Sequence, residues 1–377
     1  PHAKKSWLTF GNHWFTKMMN LRFSFLFSLC LAASIQAVCY NDTKDMLLAQ
    51  VAGETQLEIC AGTTLELGIP ISSDLTQWSA MTPLVIIQDD VEVYCGSDKK
   101  SSNNCVLQGG VLQIVTSVFN PLLAGVPTNS TNNLKVTGLT FQGNITDIPG
   151  LFGATPVAIG APGTNIVFDD CIFQDLNTTH VVNLARNMFT AEEDFPPDTA
   201  EVTITNSVFR NILFSLDVIL NSEQTMNLNN ISMTNITYNP TCGCTYTAVF
   251  ELNNASTTTL HNVTMNYIET YSAIVHQLGD GTEFNYDETF LVQNASIYNQ
   301  SSRPEYDYCP GILKETISGE NYTGQCVPLE NPNNNDNNEG TTPPLSPTSS
   351  TISRSKLGMT VAAMIVTFGL FLLDSCN

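Results

Sequence analysis

The chain has 377 residues, with 14 Lys/Arg against 35 Asp/Glu and a formal net charge of −21 at neutral pH. Only 13% of residues are charged while 42% are hydrophobic, so it can bury a long core and is not a disordered polyanion. A field of this sign disfavours nucleic acid, anionic lipid surfaces and polyanionic glycans as long-range partners.

Residues 1–18 precede Met19 and are expected to be upstream or non-native sequence. Residues 19–37 read as a secretory signal: Arg22, the apolar run Phe23–Ala33, and small residues Ala33, Ser34 and Ala37 near a cleavage point. A domain is then expected over 38–328, with a capping section at 38–94. Cysteine usage agrees with an oxidising compartment. Local spacing predicts the pairs Cys39–Cys60, Cys95–Cys105 across GSDKKSSNN, and Cys309–Cys326. Cys171 falls in an apolar column and reads as a buried thiol. Cys242 and Cys244 stay unassigned, because a bridge across one intervening residue is strained and no second ligand pair stands near for a metal.

From residue 133 a motif recurs six times: NLKVTGLTF (133–141), NIVFDDCIF (165–173), EVTITNSVF (201–209), TMNLNNISM (225–233), TTLHNVTM (258–265) and FLVQNASI (290–297). One position is nearly fixed: Gly138, Asp170, Asn206, Asn230, Asn262, Asn294, at gaps of 32, 36, 24, 32 and 32 residues. Apolar residues alternate on either side of it, which is a strand signal. Gly, Asn and Asp tolerate left-handed backbone and suit a sharp bend. Stacked side chains of Asn206, Asn230, Asn262 and Asn294 would hydrogen-bond from one copy to the next. A third apolar run accompanies the copies: PVAI (156–159), VVNL (181–184), DVIL (217–220), AVFEL (248–252) and AIVHQL (273–278). A repeat of this period predicts a solenoid, here an all-β right-handed parallel β-helix with three strands per coil and a stacked-Asn bend.

Over residues 60–300 these copies resemble the pectin-lyase-like superfamily of right-handed parallel β-helices. That superfamily includes pectate lyases, polygalacturonases, phage tailspikes and non-enzymatic surface proteins, so the resemblance implies a fold and leaves the activity open.

After a disulfide-tied cap at 303–328, residues 329–356 are rich in Asn, Pro, Ser and Thr and read as a disordered stalk. Residues 357–377 form an apolar tail, predicted to be a glycosylphosphatidylinositol signal, with a single-pass membrane helix as the alternative. Eleven Asn-x-Ser/Thr sites fit a secreted chain; Asn129, Asn177 and Asn321 lie in apparent loops and are the expected glycan carriers.

Chemistry is less legible. Asp217 and Glu251 fall on equivalent strands of neighbouring copies, read as outward and two residues out of register. That offset puts them roughly 8 Å apart, in the range of an inverting acid/base pair. Arg186 could act as a lyase base, with Asp169, Asp175 or Glu192–Glu193–Asp194 supplying oxygens that suit Ca2+. The polygalacturonase elements Gly-His-Gly and Arg-Ile-Lys are missing. The same residues also read as ordinary surface carboxylates and turns. The favoured expectation is a non-catalytic, membrane-anchored protein of the outer cell surface, contacting extracellular polysaccharide or matrix glycans and needing no cofactor. A polysaccharide lyase or glycoside hydrolase is the alternative.

Overall fold

The computed structural model describes residues 39–67, 84–110, 112–114, 133–144, 157–159, 165–184, 201–222, 224–242, 247–253, 255–297, 309–318, 321–329 and 352–353. The signal at 19–37, Asn129, Arg186, Glu192–Asp194, Cys244 and the tail at 357–377 lie outside the described residues. The chain divides into two compact units, Pro1–Cys39 and Tyr40–Asn377; of the first, only Cys39 is described, and it is disulfide-bonded, as is Cys60 in the second.

The second unit opens with the one described α-helix, α1 (Thr43–Val51). Its N-cap Asp42 accepts a hydrogen bond from the Lys44 N–H at 2.6 Å. Strands follow as β1 (Gln56–Ile59), β2 (Thr64–Glu66), β3 (Leu84–Ile86), β4 (Val91–Cys95), β5 (Cys105–Gln108), β6 (Leu112–Ile114), β7 (Asn133–Thr137) and β8 (Leu139–Asn144). Next come β9 (Val157–Ile159), β10 (Asn165–Asp169), β11 (Ile172–Thr178), β12 (Val182–Leu184), β13 (Glu201–Thr205), β14 (Val208–Phe214), β15 (Asp217–Ser222) and β16 (Thr225–Tyr238). The remainder are β17 (Ala248–Asn253), β18 (Thr257–Thr270), β19 (Ala273–Leu278), β20 (Glu283–Tyr286), β21 (Leu291–Ile297), β22 (Cys309–Ser318), β23 (Asn321–Val327) and β24 (Ile352–Ser353).

They form two long sheets. One runs β1-β4-β7-β10-β13-β16-β14-β11-β8-β5-β2, extended from β16 by β18 and then β20 and β21; the other runs β24-β23-β22-β19-β17-β15-β12-β9-β6-β3. The described pairings are parallel except β22–β23 and β23–β24. The chain is therefore all-β, compatible with a parallel solenoid. Within the stretch read as a stalk, Ile352 and Ser353 pair with Tyr322 and Asn321.

Parallel pairing in register brings like residues into columns. Val136, Phe168, Ile204, Leu228 and Leu260 are successive partners, each at most 1% exposed. Leu107, Phe141, Phe173, Phe209, Met233 and Met265 make a second column. The rings of Phe141, Phe173 and Phe209 stack at 4.7 and 4.5 Å. Val157, Val182, Ile219, Phe250, Val275 and Ile312 line the other sheet. Each fully buried large side chain contributes about 1.5–3 kcal/mol, and these columns supply the core.

The bends are backbone-driven. Gly138, Asp170, Asn206, Asn230, Asn262 and Asn294 all have positive φ, from 48° to 73°. Asn262 Nδ2 donates to Asn230 Oδ1 at 3.0 Å, Asn230 to Asn206 Oδ1 at 2.8 Å, and Asn206 to Asp169 Oδ1 at 2.8 Å. Gly occupies the first position for a steric reason. The disulfide loop closed by Cys95–Cys105 crosses there, and a Cβ on Gly138 would meet Lys100 C at 2.7 Å. From that loop Ser101 donates through both its N–H and its Oγ to Asp170, each at 2.9 Å.

Asn294 was expected in this row, and the structure corrects that. Val292 pairs with Met265 and Ala295 with Ile268, so the sixth copy is shifted by one bend. Asn294 belongs to a second line of positive-φ bends, Gly143, Asp175, Asn211, Asn235 and Tyr267. Here Asn211 donates to Asp175 at 2.9 Å and Asn235 to Asn211 at 3.0 Å. Tyr267 interrupts the row, and Asn294 donates instead to Asn266 Oδ1 at 2.8 Å.

Both ends carry extra structure. Buried Gln50 of α1 donates to Val85 O at 2.9 Å and accepts from the Ile87 N–H at 3.0 Å, which occupies backbone groups beside β3. At the other end the β22–β23 hairpin is tied by the disulfide Cys309–Cys326.

Candidate functional site

Adjacent strands of the second sheet, β12, β15, β17, β19 and β22, bring five titratable groups together. His180 stands two residues before Val182 and Asp217 two before Ile219; Val182 and Ile219 are paired, so the two polar residues face each other across the strands. His180 Nδ1 lies 2.9 Å from Asp217 Oδ1, with side chains 6% and 1% exposed. In the next strands Glu251 pairs with His276, and His276 Nε2 lies 3.3 Å from Glu315 Oε2.

Burial pushes the Asp217 carboxyl up to about 6. The charge and hydrogen bond of His180 oppose that rise; Glu251 adds to it and His276 opposes it. A carboxyl held near neutrality beside an imidazole can pass a proton within the pair. In this structure Asp217 itself is 1% exposed.

The expected acid/base pair is accordingly corrected. Asp217 is buried, not outward. It pairs with Ala248, so Glu251 lies three residues out of register instead of two. Glu251 Oε1 accepts from Asn253 Nδ2 at 3.0 Å. The third proposed residue, Arg186, is outside the described residues. Sequence reasoning missed His180, His276 and Glu315 as a group; His180 stands one residue before VVNL, and the register that sets it against Asp217, with Val182 opposite Ile219, comes only from the strand pairing.

The carboxylates read as Ca2+ ligands have other partners. Asp169 accepts from Thr205 Oγ1 at 2.9 Å and from Asn206, and Asp175 accepts from Asn211. Among the described residues no group of three or more His, Cys, Asp or Glu is disposed to hold a metal, and no helix is long and apolar enough to cross a membrane.

The larger sheet exposes polar rows. Gln142 Nε2 donates to Gln108 Oε1 at 2.8 Å, Gln174 to Gln142 at 3.0 Å, and Arg210 Nε to Gln174 at 2.9 Å. Lys135, Val167, Thr203, Asn227 and Thr259 are consecutive partners in a second row, where Asn227 donates to Glu201 at 2.6 Å. Thr137 and Thr140, on β7 and β8 of the same sheet, are buried, at 5% and 3% exposed. His261 has a side chain 58% exposed, and its Nδ1 lies 2.5 Å from Asp287 Oδ2. Hydrogen bonds from Thr289, then that histidine, hold Asp287 down at about 2.

No family model, no curated protein and no solved structure matches this chain.

Proposed function

We propose that this is a pectin-lyase-like, right-handed parallel β-helix of three strands per coil, exported through the secretory pathway and held at the outer cell surface as a non-catalytic scaffold that contacts glycans. The coil assignment draws on the two bends per repeat and the third strand that each repeat gives to the second sheet. The carrying observation for function is the contrast between the two sheets. Among the described residues the only carboxyl raised toward neutrality is 1% exposed and engaged by His180, whereas amide and hydroxyl groups recur outside at strand spacing, about 4.8 Å. Such rows offer many weak, equivalent contacts to a sugar polymer, whose avidity multiplies. Disulfides favour an oxidising compartment.

A second reading, a polysaccharide lyase or glycoside hydrolase, draws on Asp217, whose raised carboxyl is the kind of group an acid catalyst uses. One experiment separates the two. The purified protein is incubated with neutral and acidic polysaccharides, with and without Ca2+, reading reducing ends, unsaturated uronide absorbance and retention on the immobilised polymers. Retention without product supports the scaffold. Product that disappears in Asp217→Asn supports the enzyme and overturns the scaffold reading.

A further inference from the structure

The sequons divide sharply once their side chains are placed. Four of them, Asn230, Asn235, Asn262 and Asn294, sit at left-handed bends, and each donates its Nδ2 to an amide oxygen of the preceding turn. Three others with described side chains, Asn41, Asn144 and Asn177, are exposed and make no side-chain hydrogen bond among the described residues. Asn144 and Asn177 are moreover direct partners, on β8 and β11.

We propose that Asn144 and Asn177 form one N-glycosylation position that carries a single glycan, on either residue but not both, while the four bend asparagines stay unmodified. This rests on the secretory reading above. The donor is a lipid-pyrophosphate-linked oligosaccharide. The asparagine Nδ2 bonds to the anomeric carbon of its first sugar, the bond from that carbon to the pyrophosphate oxygen breaks, the lipid pyrophosphate leaves and the amide loses one proton. No oxidant or reductant is involved.

Two arguments fix the pattern. Paired residues on neighbouring parallel strands are about 4.8 Å apart with side chains on one face, so a sugar on Asn177 stands over Asn144. At the bends the crowding is two-sided. Asn230 is bonded to Asn206 on one side and Asn262 on the other, and a sugar on its Nδ2 would press on both neighbours. Transfer precedes folding, so a chain modified at a bend, or at both Asn144 and Asn177, must carry the crowded glycans into the fold, and such chains are expected to be lost before export.

The sequence supplies a convenient readout: no Lys or Arg lies between Lys135 and Arg186, so one tryptic peptide, 136–186, contains both asparagines. The full chain is expressed in eukaryotic cells and recovered from the cell surface or medium. Enzymatic deglycosylation in heavy-oxygen water then marks each formerly occupied asparagine as labelled aspartate. The expected result is one label per 136–186 peptide, at residue 144 or 177, and none at the bend positions. Asn177→Gln should move the label to residue 144, and Asn144→Gln with Asn177→Gln should remove one glycan's mass. Doubly labelled peptides, label at a bend, or label at Asn41 with none in 136–186 each overturn the proposal alone. No label at any sequon overturns the secretory reading together with it.

Discussion

Phe173→Ala tests the core directly. The ring is fully buried, stacked on Phe141 at 4.7 Å and 8°, on Phe209 at 4.5 Å and 13°, and edge-on to Phe168 at 6.3 Å. Truncating a buried Phe costs about 3–5 kcal/mol, and stacked pairs add about 0.5–1.5 kcal/mol each to simple burial. These contributions overlap. The backbone on either side is held by β8 and β14, so the void cannot close, and about 4–5 kcal/mol is expected. Phe173→Leu keeps most of the volume and should cost less than about 1.5 kcal/mol. Urea unfolding followed by far-UV circular dichroism gives both values from the midpoint shift at constant slope. A loss of about 1 kcal/mol or less for the Ala variant, or equal losses for Ala and Leu, would refute a rigid column of stacked rings.

Four further outcomes are expected. Asn230→Gly keeps the left-handed bend and loses two amide contacts, whereas Asn230→Ala adds about 1–2 kcal/mol of backbone strain; equal midpoints for the two variants would sink the bend argument. Gly138→Asn restores the commonest bend residue, yet the Lys100 backbone at 2.7 Å should make it about 1–3 kcal/mol destabilising; a neutral result in thermal unfolding would contradict the loop packing. Asp217 takes up its proton at about 6 in the fold and near 3.8 unfolded, so its neutral form favours folding. That stability is complete below the lower value and is lost as pH rises through 6, by about 3 kcal/mol in all. Asp217→Asn should flatten this slope in unfolding titrations between about pH 4 and 7, and an unchanged slope would exclude the residue as its source. Burial holds the Cys171 thiol up at about 12, so a thiol reagent mapped by mass spectrometry should label it only in denaturant; labelling of the native protein would place it at the surface.

How much was legible follows from how each contact is encoded. The first bend was readable because Asn206, Asn230 and Asn262 recur in one frame with alternating apolar neighbours. The second was hidden, since Gly143, Asp175, Asn211, Asn235 and Tyr267 share a backbone state and hardly a residue type. That concealment produced the misplaced Asn294: an Asn with an apolar alternation fits either bend, and only strand pairing decides. Asp217 was placed on the right sheet with the wrong exposure. Its surroundings depend on His180, which is 37 residues away and belongs to no motif. Columns of apolar residues are local and periodic; a buried polar pair is neither.

The hydrogen-bonded rows have a sense of direction. In each one the later residue in the chain donates and the earlier accepts: Asn262 to Asn230 to Asn206 to Asp169, Asn235 to Asn211 to Asp175, and Arg210 to Gln174 to Gln142 to Gln108. Head-to-tail amides reinforce one another's polarisation, much as peptide units do along a helix. Each row therefore has a positive end toward the N-terminus and a negative end toward the C-terminus. Its terminal residues match: Asp169 and Asp175, which only accept, close two rows at the positive end, and Arg210, which only donates, starts the third at the negative end. A carboxylate placed in mid-row, as in Asn230→Asp, would turn one amide chain into two opposed halves, so the positions of these few charges set the polarity of the whole edge.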